Sequence, residues 1–273
     1  MRTMLLAVSF ASTLFVLPAG AADFSGNEVN LVGSAVMQNG ELQLTGNLQG
    51  QAGAAWLTPP LATTRSFAVT YDFVLANAGK DTMADGVALV FQNKGATALG
   101  NVAAGSNLAY VGLDGVGSVV QTWYNDRLGL NIDGNPLSSN PAPVPLGAAQ
   151  LVTGSETVSY DAAAHRLSMS GTLNVDGKIL PISDSVTIDL AAKFGPNMYL
   201  GFTGATGAAF AEQRISRFAL TVVPEPRPAV VPQDNSGVAP PEKFPSLLLI
   251  GLGVLCGLGL LLVVLRRRQR RAD

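Results

Sequence analysis

The side chains able to do acid–base or covalent chemistry are few in this chain. His165 is the single histidine. It follows Ala162-Ala163-Ala164 in a stretch that reads as a hairpin turn, which places it at the surface rather than beside a substrate. Within residues 22–223 the glutamates Glu28, Glu41, Glu156 and Glu212 stand far apart. They form no Glu-x-Asp-x-x-Glu strand of the kind that sets two carboxylates about 5–10 Å apart for glycoside hydrolysis. No Ser-His-Asp motif is present. The one cysteine, Cys256, sits in an apolar run, where it reads as a small packing residue. The chain therefore reads as a protein that is not an enzyme. What remains are polar and aromatic residues with the chemistry of recognition: Asp85 before Gly86, Trp123, and Asn125-Asp126. Taken singly, these read as a turn aspartate, a core indole and a turn pair.

The elements that must position them are strands. Phe67, Val69, Tyr71, Phe73 and Leu75 fall at every second residue. So do Val87, Leu89 and Phe91; Leu167, Met169, Gly171, Leu173 and Val175; Val186, Ile188 and Leu190; and Phe218, Leu220 and Val222. Period two places such side chains on one face of a strand. Turn pairs at Asn39-Gly40, Asp114-Gly115, Asp133-Gly134 and Asp176-Gly177 punctuate the runs. Many strands, many turns and little helical periodicity predict an all-β sandwich or jelly roll. No internal repeat stands out.

The two ends of the chain read differently. Met1 to Ala21 has a positive start, an apolar core and an Ala-x-Ala end, the layout of a secretory signal. Residues 22–223 form the sandwich, and 224–245 a proline-rich stalk. Ser246 to Leu265 is free of charge, and Arg266, Arg267, Arg268, Arg270 and Arg271 follow in the tail 266–273. A spanning helix needs about 20 apolar residues, and an abrupt basic stop favours a cytoplasmic end. The expectation is an exported domain, periplasmic or at the cell surface, anchored to a membrane by one C-terminal helix. Asp23 to Pro245 carries 18 acidic and 11 basic residues, near −7. That balance argues against a nucleic-acid partner, since phosphate binding needs a basic face. Without a disulfide, the sandwich must be held by its core alone.

The order of motifs in the middle of the chain carries a resemblance. Gly33-Ser34-Ala35 precedes Asn39-Gly40-Glu41-Leu42-Gln43-Leu44, and then come Gly53-Ala54-Ala55-Trp56 and Ala84-Asp85-Gly86-Val87-Ala88-Leu89-Val90-Phe91-Gln92. Ser118-Val119-Val120-Gln121-Thr122-Trp123-Tyr124-Asn125, Val158-Ser159-Tyr160-Asp161 and Tyr199-Leu200-Gly201-Phe202-Thr203-Gly204 follow. The series closes with Ile215-Ser216-Arg217-Phe218-Ala219-Leu220. From about Phe24 to Val222 this resembles bacterial members of the L-type, or legume-type, lectins. The resemblance implies a jelly-roll sandwich with glycan-binding loops at one end. It implies that Asp85 stands where the family has an aspartate that follows a cis peptide and accepts bonds from two sugar hydroxyls, for which a carboxylate's paired oxygens are suited; in this chain a cis Ala84-Asp85 bond would support a sugar site and a trans bond its loss. It implies that Asn125 donates to the sugar and that Trp123 stacks on its apolar face. Gly105 or Ser106, in a loosely matching glycine-rich loop, would lend a backbone N–H. The loop Ala205 to Gln213 would set specificity.

The sequence departs from that pattern where the resemblance implies ions. Two metal-binding carboxylates are expected where Val119 and Gln121 stand, and a metal histidine where Arg127 stands. What is left for calcium is Gln121, Asn125 and Asp126, thin for an ion that takes six to eight oxygens. The competing expectation is an adhesive or structural surface module that kept the sandwich and lost the sugar site. A further resemblance concerns Val223-Pro224-Glu225-Pro226, which is similar to the opening of a bacterial Pro-Glu-Pro (PEP-CTERM-like) C-terminal sorting signal. The spacer to the apolar run is longer than such signals have. The sugar's identity and the oligomeric state are not legible.

Overall fold

The computed structural model describes residues 24, 28–77, 79, 82–123 and 125–223. The signal-like segment 1–21, the stalk 224–245, the apolar stretch 246–265 and the arginine tail 266–273 lie outside the described residues. Among the described residues, no helix is long and apolar enough to cross a membrane.

The strands, in chain order, are β1 (Glu28–Gly33), β2 (Val36–Gln38), β3 (Glu41–Thr45), β4 (Ala52–Thr58), β5 (Leu61–Ala62), β6 (Phe67–Ala76), β7 (Gly86–Gln92), β8 (Val116–Gln121) and β9 (Arg127–Asn131). They continue with β10 (Leu151–Asp161), β11 (Arg166–Val175), β12 (Lys178–Thr187), β13 (Asn197–Ala205) and β14 (Glu212–Val222). A short α-helix, α1 (Leu190–Phe194), lies between β12 and β13. All pair antiparallel, in two sheets. The first runs β1-β4-β13-β7-β8-β9, with β5 added to β13; the second runs β12-β11-β10-β6-β14-β3-β2.

Alternation does what period two requires in the second sheet. Along β6 the inward Phe67, Val69, Tyr71, Phe73 and Leu75 are buried while their neighbours are half-buried. They meet Leu89, Phe91, Leu200 and Phe202 of the first sheet in the core between the layers. The first sheet behaves differently. Every residue of β7 and β8 is buried, so both faces are covered. The outer cover is the segment between these two strands: Leu108, Tyr110 and Leu113 pack on Ala54, Trp56, Ala88, Val90 and Val119 in a second apolar cluster. Trp56 donates its indole N–H to the Ala98 carbonyl at 2.7 Å, which fixes that cover in place. The alternation Val87, Leu89, Phe91 therefore marks one buried face of two.

Two of the four turn pairs make two-residue hairpins. Asn39-Gly40 joins β2 to β3 and Asp176-Gly177 joins β11 to β12, each with positive φ at both residues. Asp114-Gly115 and Asp133-Gly134 instead fall in longer loops before β8 and after β9. The run Val186 to Leu190 is not one strand: β12 stops at Thr187, and Asp189 caps α1 by accepting from the Ala192 N–H at 2.9 Å.

A candidate binding pocket at the loop end of the first sheet

Gly86 opens β7 wedged between the ends of two neighbours, opposite Gln121 of β8 and Ala205 of β13. Its φ is +129°, and a Cβ there would lie 2.1 Å from the Val120 carbonyl oxygen, so only glycine fits. The residue before it is thereby pushed just past the sheet end. Asp85 donates its backbone N–H to Ala205 O at 3.1 Å and accepts the Thr122 N–H at 2.8 Å. The Ala84–Asp85 peptide is cis, as the resemblance implied. Asp85 is only 3% exposed, and its Oδ2 accepts no hydrogen bond from the described residues. Burial pushes its acid up to about 7, and the nearby Gly207 N–H offsets part of that rise.

Two other loops close around this carboxylate. The first runs between β7 and β8, with its ends zipped by Gly100 N–H to Ala109 O and Asn101 N–H to Val111 O. It turns in one 3₁₀ step over Gly105–Asn107 and is held down by Leu108 and Tyr110 in the outer apolar cluster. Gly105 passes so close that an added Cβ would come 1.8 Å from Asp85 Oδ2 and 2.4 Å from Gly207 N. The second loop follows β13. It is pinned by Thr206 N–H to Gln51 O at 2.8 Å, Gln51 N–H to Thr206 Oγ1 at 2.9 Å and Gly50 N–H to Gly207 O at 3.2 Å.

Together they enclose a pocket of about 270 Å³ lined by Ala84, Asp85, Ala103, Ala104, Gly105, Ser106, Trp123, Gly207, Ala208 and Ala209. Four of the five residues expected to bind sugar, Asp85, Gly105, Ser106 and Trp123, are thus brought together. Trp123 is not a core residue: it is 38% exposed, with part of its indole on the pocket wall. Asn125 is not brought in. It is exposed, in a left-handed turn with φ +69°, and outside the lining. Gly207, Ala208 and Ala209 fall in the loop expected to set specificity, but their places on the wall carry no signal in the sequence.

The residues left for an ion do not fit one. Val119 is fully buried in the outer apolar cluster. Gln121 is fully buried; its Nε2 donates to the Ser106 carbonyl, 2.8 Å away, and its unpartnered Oε1 is one neutral oxygen where the resemblance expects a carboxylate. Asp126 uses Oδ1 to accept the Gly147 N–H at 2.9 Å. Arg127, at the expected histidine position, donates to the Ser139 carbonyl. Among the described residues, no three of His, Cys, Asp and Glu gather at one point. A hard cation asks for several converging charged oxygens, and this corner offers a single committed carboxylate.

The remaining titratable groups face elsewhere. Glu156 lies between the sheets, accepting from Tyr71 at 2.6 Å and Ser118 at 2.8 Å. Glu41 and Glu212 both pair with Arg214 on the second sheet. His165 has φ +50° in the turn between β10 and β11, 3.6 Å from Asp189 and half-exposed, as a turn residue should be.

A family model for the legume lectin domain matches residues 9–235. Among solved structures, the seed lectin of Lotus tetragonolobus superposes with a TM-score of 0.63 at 18% identity, over 72% of this chain and 94% of that one. A lectin from Bauhinia forficata, solved in complex with GalNAc, gives 0.57 at 20% identity, over 71% and 92%. Arcelin-5, a lectin-like defense protein from Phaseolus vulgaris, gives 0.61 at 16% identity, over 73% and 94%.

Proposed function

The chain belongs to the legume lectin domain family, and from that premise we propose that it binds carbohydrate through the Asp85 pocket. The observation that carries this reading is one oxygen. Asp85 Oδ2 is buried at the floor of a pocket of about 270 Å³ and has no partner among the described residues. An unmet acceptor inside a fold costs about 1–3 kcal/mol. At the mouth of a cavity, a ligand's hydroxyls relieve that cost. A carboxylate accepting from adjacent hydroxyls makes charge-assisted bonds, the stronger class. The Trp123 indole offers the apolar ring face a flat surface beside it. Two structural neighbours agree in kind: the Bauhinia lectin is complexed with GalNAc, and lectin UEA-II with galactose.

The pocket residues have separable duties. Asp85 would accept two hydroxyl protons, with Gly105 and Gly207 bringing backbone close because neither carries a side chain. Ser106 would offer backbone or hydroxyl at the rim. Asn125 would at most touch the outer edge of a larger saccharide. A glycan array probed with the full chain tests the reading: binding to at least one saccharide class, lost in Asp85→Asn, is expected. Silence towards every saccharide at millimolar concentration would leave the adhesive or structural module as the account of this fold.

We further propose that the domain is exported and membrane-anchored. The support is sequence pattern alone: the signal-like start, the uncharged run Ser246 to Leu265 and the arginines after it. Mass spectrometry of the mature chain should find its N-terminus near Ala22. It would also show whether the C-terminal segment is retained as an anchor or removed as a sorting signal.

A further inference from the structure

We infer that two buried glutamines, Gln121 and Gln213, position the walls of the Asp85 pocket by amide hydrogen bonds, so that ligand binding there is independent of metal ions. The inference rests on the saccharide reading above for its ligand, and on the following geometry for its mechanism.

Gln121 ends β8 and is fully buried. Its Nε2 donates to the Ser106 carbonyl at 2.8 Å, which ties the first pocket loop to the sheet. Gln213 lies near the start of β14, in the opposite sheet, and is also fully buried. Its Nε2 donates to the Ala205 carbonyl at 2.8 Å and to the Ala84 carbonyl at 3.3 Å. One amide group thus holds both the segment that ends in Asp85 and the strand end that leads to Gly207. The fit is built: Gly204 has no Cβ, and one placed there would stand 2.5 Å from Gln213 Oε1. The Ser106 loop, the Ala84 segment and the end of β13 are therefore fastened to neutral side chains, whose own oxygens, Gln121 Oε1 and Gln213 Oε1, are buried without a partner among the described residues. An NH₂ group has two protons to give and no charge to desolvate, so it can bridge two carbonyls inside a fold where a bare carboxylate would need an ion. The neighbouring Val119, buried among Trp56, Tyr110 and Leu113, completes a corner built for apolar contact and amide bonds rather than for cations.

The test uses the full chain and a saccharide found on the array. The dissociation constant should be unchanged in excess EDTA, in added Ca²⁺ and in added Mn²⁺, and neither cation should raise the melting temperature, as a bound ion must. Gln121→Met and Gln213→Met, which keep volume and lose the donors, should each weaken binding about tenfold when measured well below the melting temperature. A purely structural glutamine would lower the melting temperature and leave the dissociation constant of the folded protein alone, and that result overturns the inference. So does any gain of affinity or stability from Ca²⁺ or Mn²⁺. If the native chain binds no saccharide, the reading under Proposed function falls, and this one is decided by cations and amide exchange. Faster exchange at residues 84–86 and 104–108 in the methionine variants, with no response to cations, supports it; unchanged exchange overturns it.

Discussion

Two buried carboxyl groups sit in this sandwich in opposite circumstances. Asp85 is 3% exposed and Glu156 1%, and burial raises the pKa of both. Each has one oxygen without a partner among the described residues, Oδ2 and Oε1 respectively. Glu156 is sealed between the layers, where Tyr71 from β6 and Ser118 from β8 donate to its other oxygen and stitch the two sheets together. Asp85 lines a cavity at the sheet's end, with the backbones of Gly105 and Gly207 packed close against its carboxyl group. The same local chemistry therefore serves two ends. In the core, an unmet oxygen belongs to an acid whose pKa burial raises; at a pocket, it marks a place where a ligand completes the set.

The sharpest way to break that contrast is to neutralise each acid in turn. Asp85→Asn should cost saccharide affinity about a hundredfold, because two charge-assisted bonds are lost, each worth about 1.5–3 kcal/mol. Glu156→Gln should leave affinity where it was. Isothermal titration of both variants reads this directly, and equal losses would erase the distinction.

Stability against pH tests the Glu156 side next. Glu156 has a folded pKa above its unfolded one, so the native state holds the proton longer. The stability this contributes is whole in acid and drains as pH rises from the unfolded carboxyl range through the raised folded value. Glu156→Gln should remove that loss and melt higher than the native protein at alkaline pH. Differential scanning calorimetry across pH is the check.

A smaller effect concerns Asp85 itself. With its acid raised to about 7, the acceptor form fills only as pH rises through that value. Affinity should climb from acid to mildly alkaline solution and flatten above, and Asp85→Asn should show no such climb. The smallest effects belong to the rim. Trp123→Ala should cost about threefold to tenfold, as a half-exposed stacking surface does. Asn125→Ala, outside the lining, should cost less than about threefold by the same titration.

Much of this was legible before any coordinates. Period two in Phe67 to Leu75 gave β6 and its inward face directly, and Asn39-Gly40 and Asp176-Gly177 marked true hairpins. The resemblance brought Asp85, Gly105, Ser106 and Trp123 to one place. Three things escaped. Both faces of β7 are buried because the long segment that follows it folds back over the sheet, and alternation along one strand reports only that strand. Asn125 was expected in the pocket, yet its left-handed turn leaves it exposed and outside the lining. Gln213 entered the sequence reading only as the end of the loop Ala205 to Gln213; its role arises from the opposite sheet reaching across the end of the sandwich, a contact no local pattern encodes.

The central claim is that Asp85 grips the ligand. A second groove, of about 410 Å³, lies on the second sheet beside the Asp72–Arg217 ion pair, and it supplies the internal control. Amide chemical-shift mapping during titration with an array-selected saccharide compares the two sites in one experiment. Shifts concentrated at residues 84–85, 103–106, 123 and 207–209 are the predicted result. Shifts centred on Asp72, Ser155, Asn174 and Arg217, with the Asp85 pocket silent, would contradict it.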